Sequence, residues 1–387
     1  MYDIDATRMA SPFYGESHRQ WRNQLRRFVE REIQPHITCW DEQGLLPETL
    51  WEKAAEVGLL QMGYPECYGG TETDAFHMIV AAEELARTGA GGLYASLMVH
   101  GIALPPLLHY GSDALKDAVI PAVLRGERQI SLAVTEPGAG SDVANLQCRA
   151  VRDGDSYIVN GEKTYITGGM RAHWFTTAVR TGGEGFDGIS LLLIPANAQG
   201  VSRQLLDKKQ GWWCSDTASI FFDQVRVPAD NRIGVENHGF LPIVHNFNHE
   251  RLGIAASCVE YSRVCLQDAI EWAQARETFG KCLASHQVIR HKFAQMLQRI
   301  NATQAYLDLC AWAEQQQQLK VAEVALLKVQ ATETLEYCAR EAMQVLGGAG
   351  YMRGGRVERI YREVRVNAIG GGSEEIMRDL ASRQMGI

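Results

Sequence analysis

Three groups of residues in this chain have chemistry to offer. The first is Thr135-Glu136-Pro137-Gly138-Ala139-Gly140-Ser141-Asp142, which follows the apolar run 132–134. A strand entering a loop with two glycines exposes backbone N–H groups that can cradle a pyrophosphate, and Thr135 and Ser141 add hydroxyl donors. By spacing alone an ordinary turn-rich strand end is the simpler reading. No G-x-G-x-x-G opens a βαβ unit here, so a Rossmann site is not the explanation. The second group is Glu250-Arg251-Leu252. Most helix glutamates are solvated, and Glu250 could simply pair with Arg251 or His249; a carboxylate is also a common general base. The third group is the run Gly370-Gly371-Gly372-Ser373-Glu374-Glu375, whose two glutamates are rival carboxylates. His245 and His249 put two imidazoles on one helix face, but no third ligand pattern accompanies them, so no metal site is expected.

The elements that must position these groups follow the order α, β, α. Residues 19–33 form a charged amphipathic stretch ended near Pro35, and residues 76–87 read as a helix stopped by Gly89. Pro105-Pro106 and Gly111 punctuate the next segments. From about Gln129 the texture becomes β: 131–134, then 150–151, a turn at Asp153-Gly154, 157–159, and a turn at Asn160-Gly161. Residues 188–195 and 218–228 are β-rich as well. Helical periodicity returns after Gly239, with faces at Leu252, Ala255, Val259, Leu266, Ile270 and Ala273, and at Val321, Ala325, Val329, Thr332, Leu335, Ala339, Met343 and Leu346. Residues 286–312 give a third long helix, and such segments bury their stripes in an antiparallel bundle. The expected domains are 1–128, all-α; 129–235, β; and 236–387, a helical bundle.

Composition bounds the function. At 387 residues with 46% hydrophobic and 22% charged residues, the chain is an ordinary globular mix of two or three domains. A net charge of −8 argues against nucleic acid as a partner, while a few arginines can still hold an anionic small ligand. Nine scattered cysteines without a C-x-x-C suggest reduced thiols rather than zinc or disulfides. With Asp3 and Asp5 at the N-terminus and no apolar run near the roughly 20 residues that span a bilayer, a soluble cytoplasmic protein without membrane insertion is expected.

Five motifs resemble those of the acyl-CoA dehydrogenase family. The run Leu132-Ala133-Val134-Thr135-Glu136-Pro137-Gly138-Ala139-Gly140-Ser141-Asp142 looks like its flavin signature, and Tyr165-Ile166-Thr167-Gly168 follows at the family's spacing. Then come Arg276-Glu277-Thr278-Phe279-Gly280-Lys281 with Gln287, Gln344-Val345-Leu346-Gly347-Gly348-Ala349-Gly350-Tyr351, and Tyr361-Arg362-Glu363 followed by residues 369–376. The resemblance covers most of the chain in family order. It implies an α+β fold with an N-terminal helical domain, a middle β-barrel domain and a C-terminal four-helix bundle. It implies bound FAD. Leu132, Val134, Thr135, Gly140 and Ser141 match positions near the isoalloxazine and pyrophosphate. Tyr165 stands where a tryptophan usually flanks the ring, beside Ile166, and Thr167 matches the donor to flavin N5. Arg276, Gln287, Gln344, Gly347 and Gly348 match residues that reach the FAD of a neighbouring subunit, Thr278, Phe279, Ser373 and Glu375 are expected among the cofactor contacts, and Glu374 and Glu375 match FAD-contacting and helix-start positions. The family's usual homotetramer and an electron-transfer flavoprotein acceptor follow as expectations.

The same resemblance points to a base. The reaction removes an α-proton to a carboxylate while hydride leaves the β-carbon for N5. Many members carry that glutamate in a Y-E-G-T loop, where this chain has Gly370-Gly371-Gly372-Ser373. A subset like the long-chain and isovaleryl dehydrogenases carries it on a bundle helix before Arg-Leu, as Glu250 stands here. Glu250 is therefore the expected base, with Ser141, Arg251, Gly371 and Gly372 lining the acyl-CoA and the Gly371 N–H polarising the thioester carbonyl. A flavin oxidase on the same scaffold, and a catalytically silent binding or assembly factor, are the alternatives. The three glycines suggest room near the reacting carbons, hence branched or bulky acyl groups.

Overall fold

The computed structural model of the chain describes residues 11–387 apart from the side chains of His245 and Asn246, so Asp3, Asp5 and the His245 imidazole lie outside the described residues. Among the described residues seven helices come first: α1 (Glu16–Phe28), α2 (Ile37–Gln43), α3 (Thr49–Glu56), α4 (Ala75–Ala86), α5 (Gly91–Leu97), α6 (His100–Tyr110) and α7 (Asp113–Leu124). The amphipathic α1 runs on through a π turn at Val29–Ile33 and stops just before Pro35. Asp74 caps α4 by accepting from the His77 amide. Every residue of α4 except His77 is buried, because the helix is sandwiched between α1 and a long C-terminal helix. Burial of Glu83 and Glu84 is offset by Arg22, whose guanidinium lies 2.8 and 3.0 Å from them, and by Arg26.

Eight strands follow: β1 (Ile130–Ala133), β2 (Arg149–Asp153), β3 (Ser156–Thr167), β4 (Trp174–Arg180), β5 (Ile189–Pro195), β6 (Val201–Leu205), β7 (Thr217–Pro228) and β8 (Arg232–Ile233). They form one sheet in the order β6-β7-β3-β2-β4-β5-β8, with β1 parallel to β4. Tyr157, Val159, Ile166, Phe175, Ile194, Ile220 and Val225 fill its inner face, while Leu191 and Leu193 pack with residues of α6 and α7. The expected turn at Asn160-Gly161 is instead a bulge inside β3, where pairing with β7 slips between Val159 and Gly161. Gly161 has φ +143°, and a Cβ there would come within 2.7 Å of the Cys148 Cα, so glycine is a requirement of the bulge rather than of a turn.

The C-terminal part is α8 (Phe240–Ala275), α9 (Gln287–Gln315), α10 (Val321–Leu346), the short α11 (Gly348–Tyr351), α12 (Arg356–Ile369) and α13 (Glu374–Met385). A two-stranded hairpin, β9 (Glu277–Thr278) and β10 (Lys281–Cys282), joins α8 to α9. Helix α10 packs against α8, α9, α12 and α13, and its apolar stripe merges with that of α4 into one core shared by both helical domains.

Two further sequence expectations are corrected. Pro105 and Pro106 lie inside α6 instead of punctuating it. The stretch Gly91–Tyr110 does have the length and apolarity to cross a membrane, by length and composition only. Most of it is buried, and it is broken into α5 and α6, with α6 packed against α8 and β1, so it behaves as a core segment.

Candidate active site

The loop after β1 is held from below by a pair that spacing does not reveal. Lys163 on β3, fully buried, reaches the Glu136 carboxylate at 2.7 Å and the Val134 carbonyl at 2.9 Å. Glu136 also accepts from the amides of Gln147 (2.5 Å) and Cys148 (2.9 Å). A buried ion pair is tolerated where its remaining hydrogen-bond sites are filled, and here it clamps both ends of the loop. Burial pushes the Lys163 ammonium down from the ordinary lysine range, against the charges of Cys148 and Glu136. Above this clamp the loop is open. Gly138, Gly140 and Ser141 are exposed, and a Cβ added at either glycine would meet nothing within 4 Å. The amides of Gly138, Gly140 and Ser141 have no acceptor among the described residues. Unclaimed N–H groups on an exposed glycine-containing loop fit a diphosphate-bearing cofactor.

At the far end of β3, Tyr165 takes φ +58° at a second bulge and turns its ring outward, 70% exposed. The side chain of Ile166 enters the inner core of the sheet, leaving only its backbone to face a cofactor. Thr167, half-buried at the strand end, makes no side-chain hydrogen bond among the described residues. The turn beyond it is fixed by Asp216, whose carbonyl accepts from Gly168 and whose carboxylate accepts from Met170. Leu132 is half-buried beside the β1–α6 core, and the Val134 side chain belongs to that core.

The candidate groups for proton transfer gather where α8 passes the loop between α12 and α13. Glu250 is partly buried. Burial raises its carboxyl above the usual range, while the charges of Arg251 and Lys328 pull it back. Its neighbour His249 pairs instead with Glu314, at 3.4 Å. A Cβ built on Gly371 would lie 3.8 Å from Glu250 Oε1 and 2.8 Å from Ile254 Cδ1. Position 371 and the Glu250 carboxylate therefore face the same space. Gly371 and Gly372 have φ +68° and +106°, backbone that a side chain would strain. Arg251 turns away from solvent, donates to the Gly371 carbonyl at 3.2 Å and stacks on Phe247. Lys328, fully buried on α10, donates to the carbonyls of Ala368 (2.9 Å) and Gly372 (2.8 Å). The amides of Gly371 and Gly372 have no acceptor among the described residues. Tyr94 of α5 approaches α8 one turn further on, with its hydroxyl 2.4 Å from where a Cβ on Gly253 would stand.

The room expected from the glycines is not free. Ile254 fills the volume at 371, and Met377 Cε would lie 2.4 Å from a Cβ at 372. Ser373 caps α13 by accepting from the Ile376 amide at 3.4 Å, and Glu375 is exposed in its first turn.

A third cluster lies at one end of the bundle. Packing of α9 against α10, tied by Lys292 to Glu341, puts the start of α9 with Gln287 at the same end of the bundle as Gln344, Gly347 and Gly348. The hairpin carrying Arg276, Thr278 and Phe279 projects from the same end. Thr278 Oγ1 lies 3.2 Å from His286 Nε2, Arg276 is exposed, and Phe279 is 98% exposed. No hydrogen bond or ion pair joins this cluster to the Gly138–Ser141 loop among the described residues.

His18, Asp74 and His77 form a compact group of ligand-type atoms. His18 Nδ1 accepts from the Gly15 amide, so in the neutral ring Nε2 carries the proton given to Asp74 and has no lone pair for a metal.

The comparisons cover the whole architecture. Family models match residues 15–127 as "Acyl-CoA dehydrogenase, N-terminal domain", 131–225 as the middle domain and 237–386 as the C-terminal domain. Acyl-CoA dehydrogenase AFT10-1 of Alternaria alternata is 39% identical over 95% of this chain and 91% of its own length. The crystal structure of a probable acyl CoA dehydrogenase from Mycobacterium abscessus is 45% identical with a TM-score of 0.95, covering 97% of this chain and all of that one. That of a glutaryl-CoA dehydrogenase from Mycobacterium smegmatis, in complex with FADH2, is 25% identical with a TM-score of 0.92, covering all of this chain and 97% of that one. With all three domains matched in order across the chain, it belongs to the acyl-CoA dehydrogenase family, FAD-using oxidoreductases that act on a CH–CH bond of acyl-CoA substrates.

Proposed function

We propose that this protein desaturates an acyl-CoA thioester between Cα and Cβ to the trans-2-enoyl-CoA, with Glu250 as the base. The observation that carries the reading is the 3.8 Å between Glu250 Oε1 and a Cβ built on Gly371. A glutamate on the loop and a glutamate on α8 would present carboxylates to one point. A silent binding protein would have no use for such a replacement. Bound FAD supplies the two-electron acceptor, and the open Gly138–Ser141 loop with Tyr165 and Thr167 would hold it. The unclaimed amides of Gly371 and Gly372 supply what a thioester oxygen needs as negative charge develops on it. Partial burial keeps the Glu250 carboxyl nearer the pKa of a useful base than a solvated glutamate.

That no hydrogen bond or ion pair joins the exposed Arg276 to the flavin loop among the described residues agrees with an assembly of at least two chains, and a homotetramer is the form we propose. An electron-transfer flavoprotein is the proposed acceptor. The test is anaerobic bleaching of the bound flavin by a panel of straight and branched acyl-CoAs, in wild type and Glu250→Gln. Wild type should bleach with at least one acyl-CoA. The variant should bind that acyl-CoA but lose about 10²–10⁴-fold in rate, the usual worth of a general base. Equal bleaching by both proteins would move the base elsewhere.

A further inference from the structure

We propose that Lys328 is a positioning residue for this reaction: its ammonium sets the Gly370–Gly372 loop from behind and holds the loop's free amides in line with Glu250. The inference rests on the desaturase reading above. Its starting point is an anomaly of α10, where a fully buried lysine interrupts the apolar face. Desolvating an ammonium costs several kcal/mol, roughly, and a leucine or methionine would fill the same volume without that cost. What the lysine adds is two hydrogen bonds, to the carbonyls of Ala368 and Gly372 on either side of the loop. Arg251 takes the carbonyl between them, that of Gly371.

Claiming carbonyls aims amides. In a trans peptide the C=O and the following N–H point in opposite directions. With the Gly371 carbonyl drawn to Arg251, the Gly372 N–H must point away from it. With both flanking carbonyls drawn to Lys328, a loop of glycines at φ +68° and +106° loses the freedom it would otherwise have. The two cations thus order the backbone and leave the Gly371 and Gly372 amides unclaimed.

Lys328 also acts by charge. The ionisable groups that face Glu250 are Arg251 on its own helix, Lys328 from α10 and Tyr94 from α5. Those that face Lys328 are Cys258, Glu250 and Arg251 of α8, and Glu374 of α13. Removing the ammonium removes one of the two positive charges that favour the Glu250 carboxylate, so the base should titrate at higher pH.

The experiment uses the FAD-loaded enzyme as wild type, Lys328→Met and Lys328→Arg. Anaerobic stopped-flow bleaching is followed across pH with the acyl-CoA that reduces wild type fastest. In Lys328→Met the limiting rate should fall about 10–100-fold, the effect of misplacing an oxyanion donor, with apparent acyl-CoA affinity changed by less than about 3-fold. The midpoint of the rising pH limb should move up by roughly 0.5–1 unit. Lys328→Arg, which keeps charge and donors, should recover part of the rate and restore the midpoint. An unchanged rate and midpoint in Lys328→Met would overturn the proposal. So would a loss with an unmoved midpoint that arginine does not rescue, since that pattern marks a packing residue. Should Lys328→Met fail to retain FAD, the midpoint and rate of Lys328→Arg against wild type decide, and identity of a well-folded Lys328→Gln with wild type would equally refute it. Failure of wild type to bleach with any acyl-CoA is a different outcome, and strikes the desaturase reading itself.

Discussion

The sharpest consequence of the site geometry is that the base can be moved. In Glu250→Gly with Gly371→Glu, the carboxylate leaves α8 and re-enters from the loop. The new Cβ would start 3.8 Å from the Oε1 position that Glu250 gives up, so the relocated side chain grows into vacated space. Three costs are readable. Gly371 has φ +68°, and an L-residue there costs roughly 1–2 kcal/mol. Its Cβ would stand 2.8 Å from Ile254 Cδ1, a flexible end that can turn aside. Glycine within α8 loosens the helix by roughly 0.5–1 kcal/mol, which affects stability more than rate. The strain at 371 therefore sets the shortfall: about 5–30-fold below wild type, if it lowers the fraction of correctly set loops by that factor. Glu250→Gly alone should lose about 10²–10⁴-fold. Anaerobic stopped-flow bleaching of the three proteins, matched for FAD content, measures both steps. A swap no faster than Glu250→Gly, with FAD and fold intact, would show that the two positions do not address the same carbon.

The remaining predictions test other parts of the molecule. Arg276→Ala should lower FAD retention on dilution or gel filtration while leaving the melting temperature of the FAD-saturated protein within a few degrees, because the guanidinium is exposed and engaged with nothing in its own chain among the described residues. The rate of flavin bleaching should rise with pH through a midpoint above the ordinary glutamate range, since burial raises the Glu250 carboxyl and only its ionised form accepts a proton. Glu363 offers a stability test. Burial first, and then the nearby Asp41 charge, raises it to about 7. The folded state then binds more protons than the unfolded one between about 4.5 and about 7, so stability present at low pH is lost as pH rises through about 7, by on the order of 3 kcal/mol. Glu363→Gln should flatten that dependence in melting curves at pH 5, 7 and 9. It should also destabilise by about 1–3 kcal/mol, because Oε1 and Oε2 accept from Trp212 and Gly91 and an amide can serve only one of them.

The contrast between what the sequence shows and what it hides has a physical cause. The order α, β, α was legible because helices and strands write their periods into apolar residues, and the long faces of α8 and α10 fall where periodicity puts them. Glu250 stood out only through the resemblance; as a helix carboxylate it is indistinguishable from a surface residue. Asn160-Gly161 misled because a glycine at positive φ marks a bulge as readily as a turn, and only the close approach of Cys148 decides which. The glycine loop misled in another way. Missing side chains imply missing volume only if nothing else moves in, and Ile254 and Met377 come from helices whose nearness is a tertiary fact. The residues most easily overlooked, Lys163 and Lys328, are the two largest charged side chains buried without exposure among the described residues. Lys328 alone left a local signal. Lys328 lies seven residues after Val321 and four before Thr332, on the stripe that otherwise faces the core. A lysine there contradicts the amphipathic pattern. Such a contradiction survives only where buried carbonyls or carboxylates wait for the ammonium. Both lysines meet that condition at the two loops proposed to hold cofactor and thioester, and a polar residue that breaks a strong apolar period is thus a better pointer to this site than any exposed charged residue.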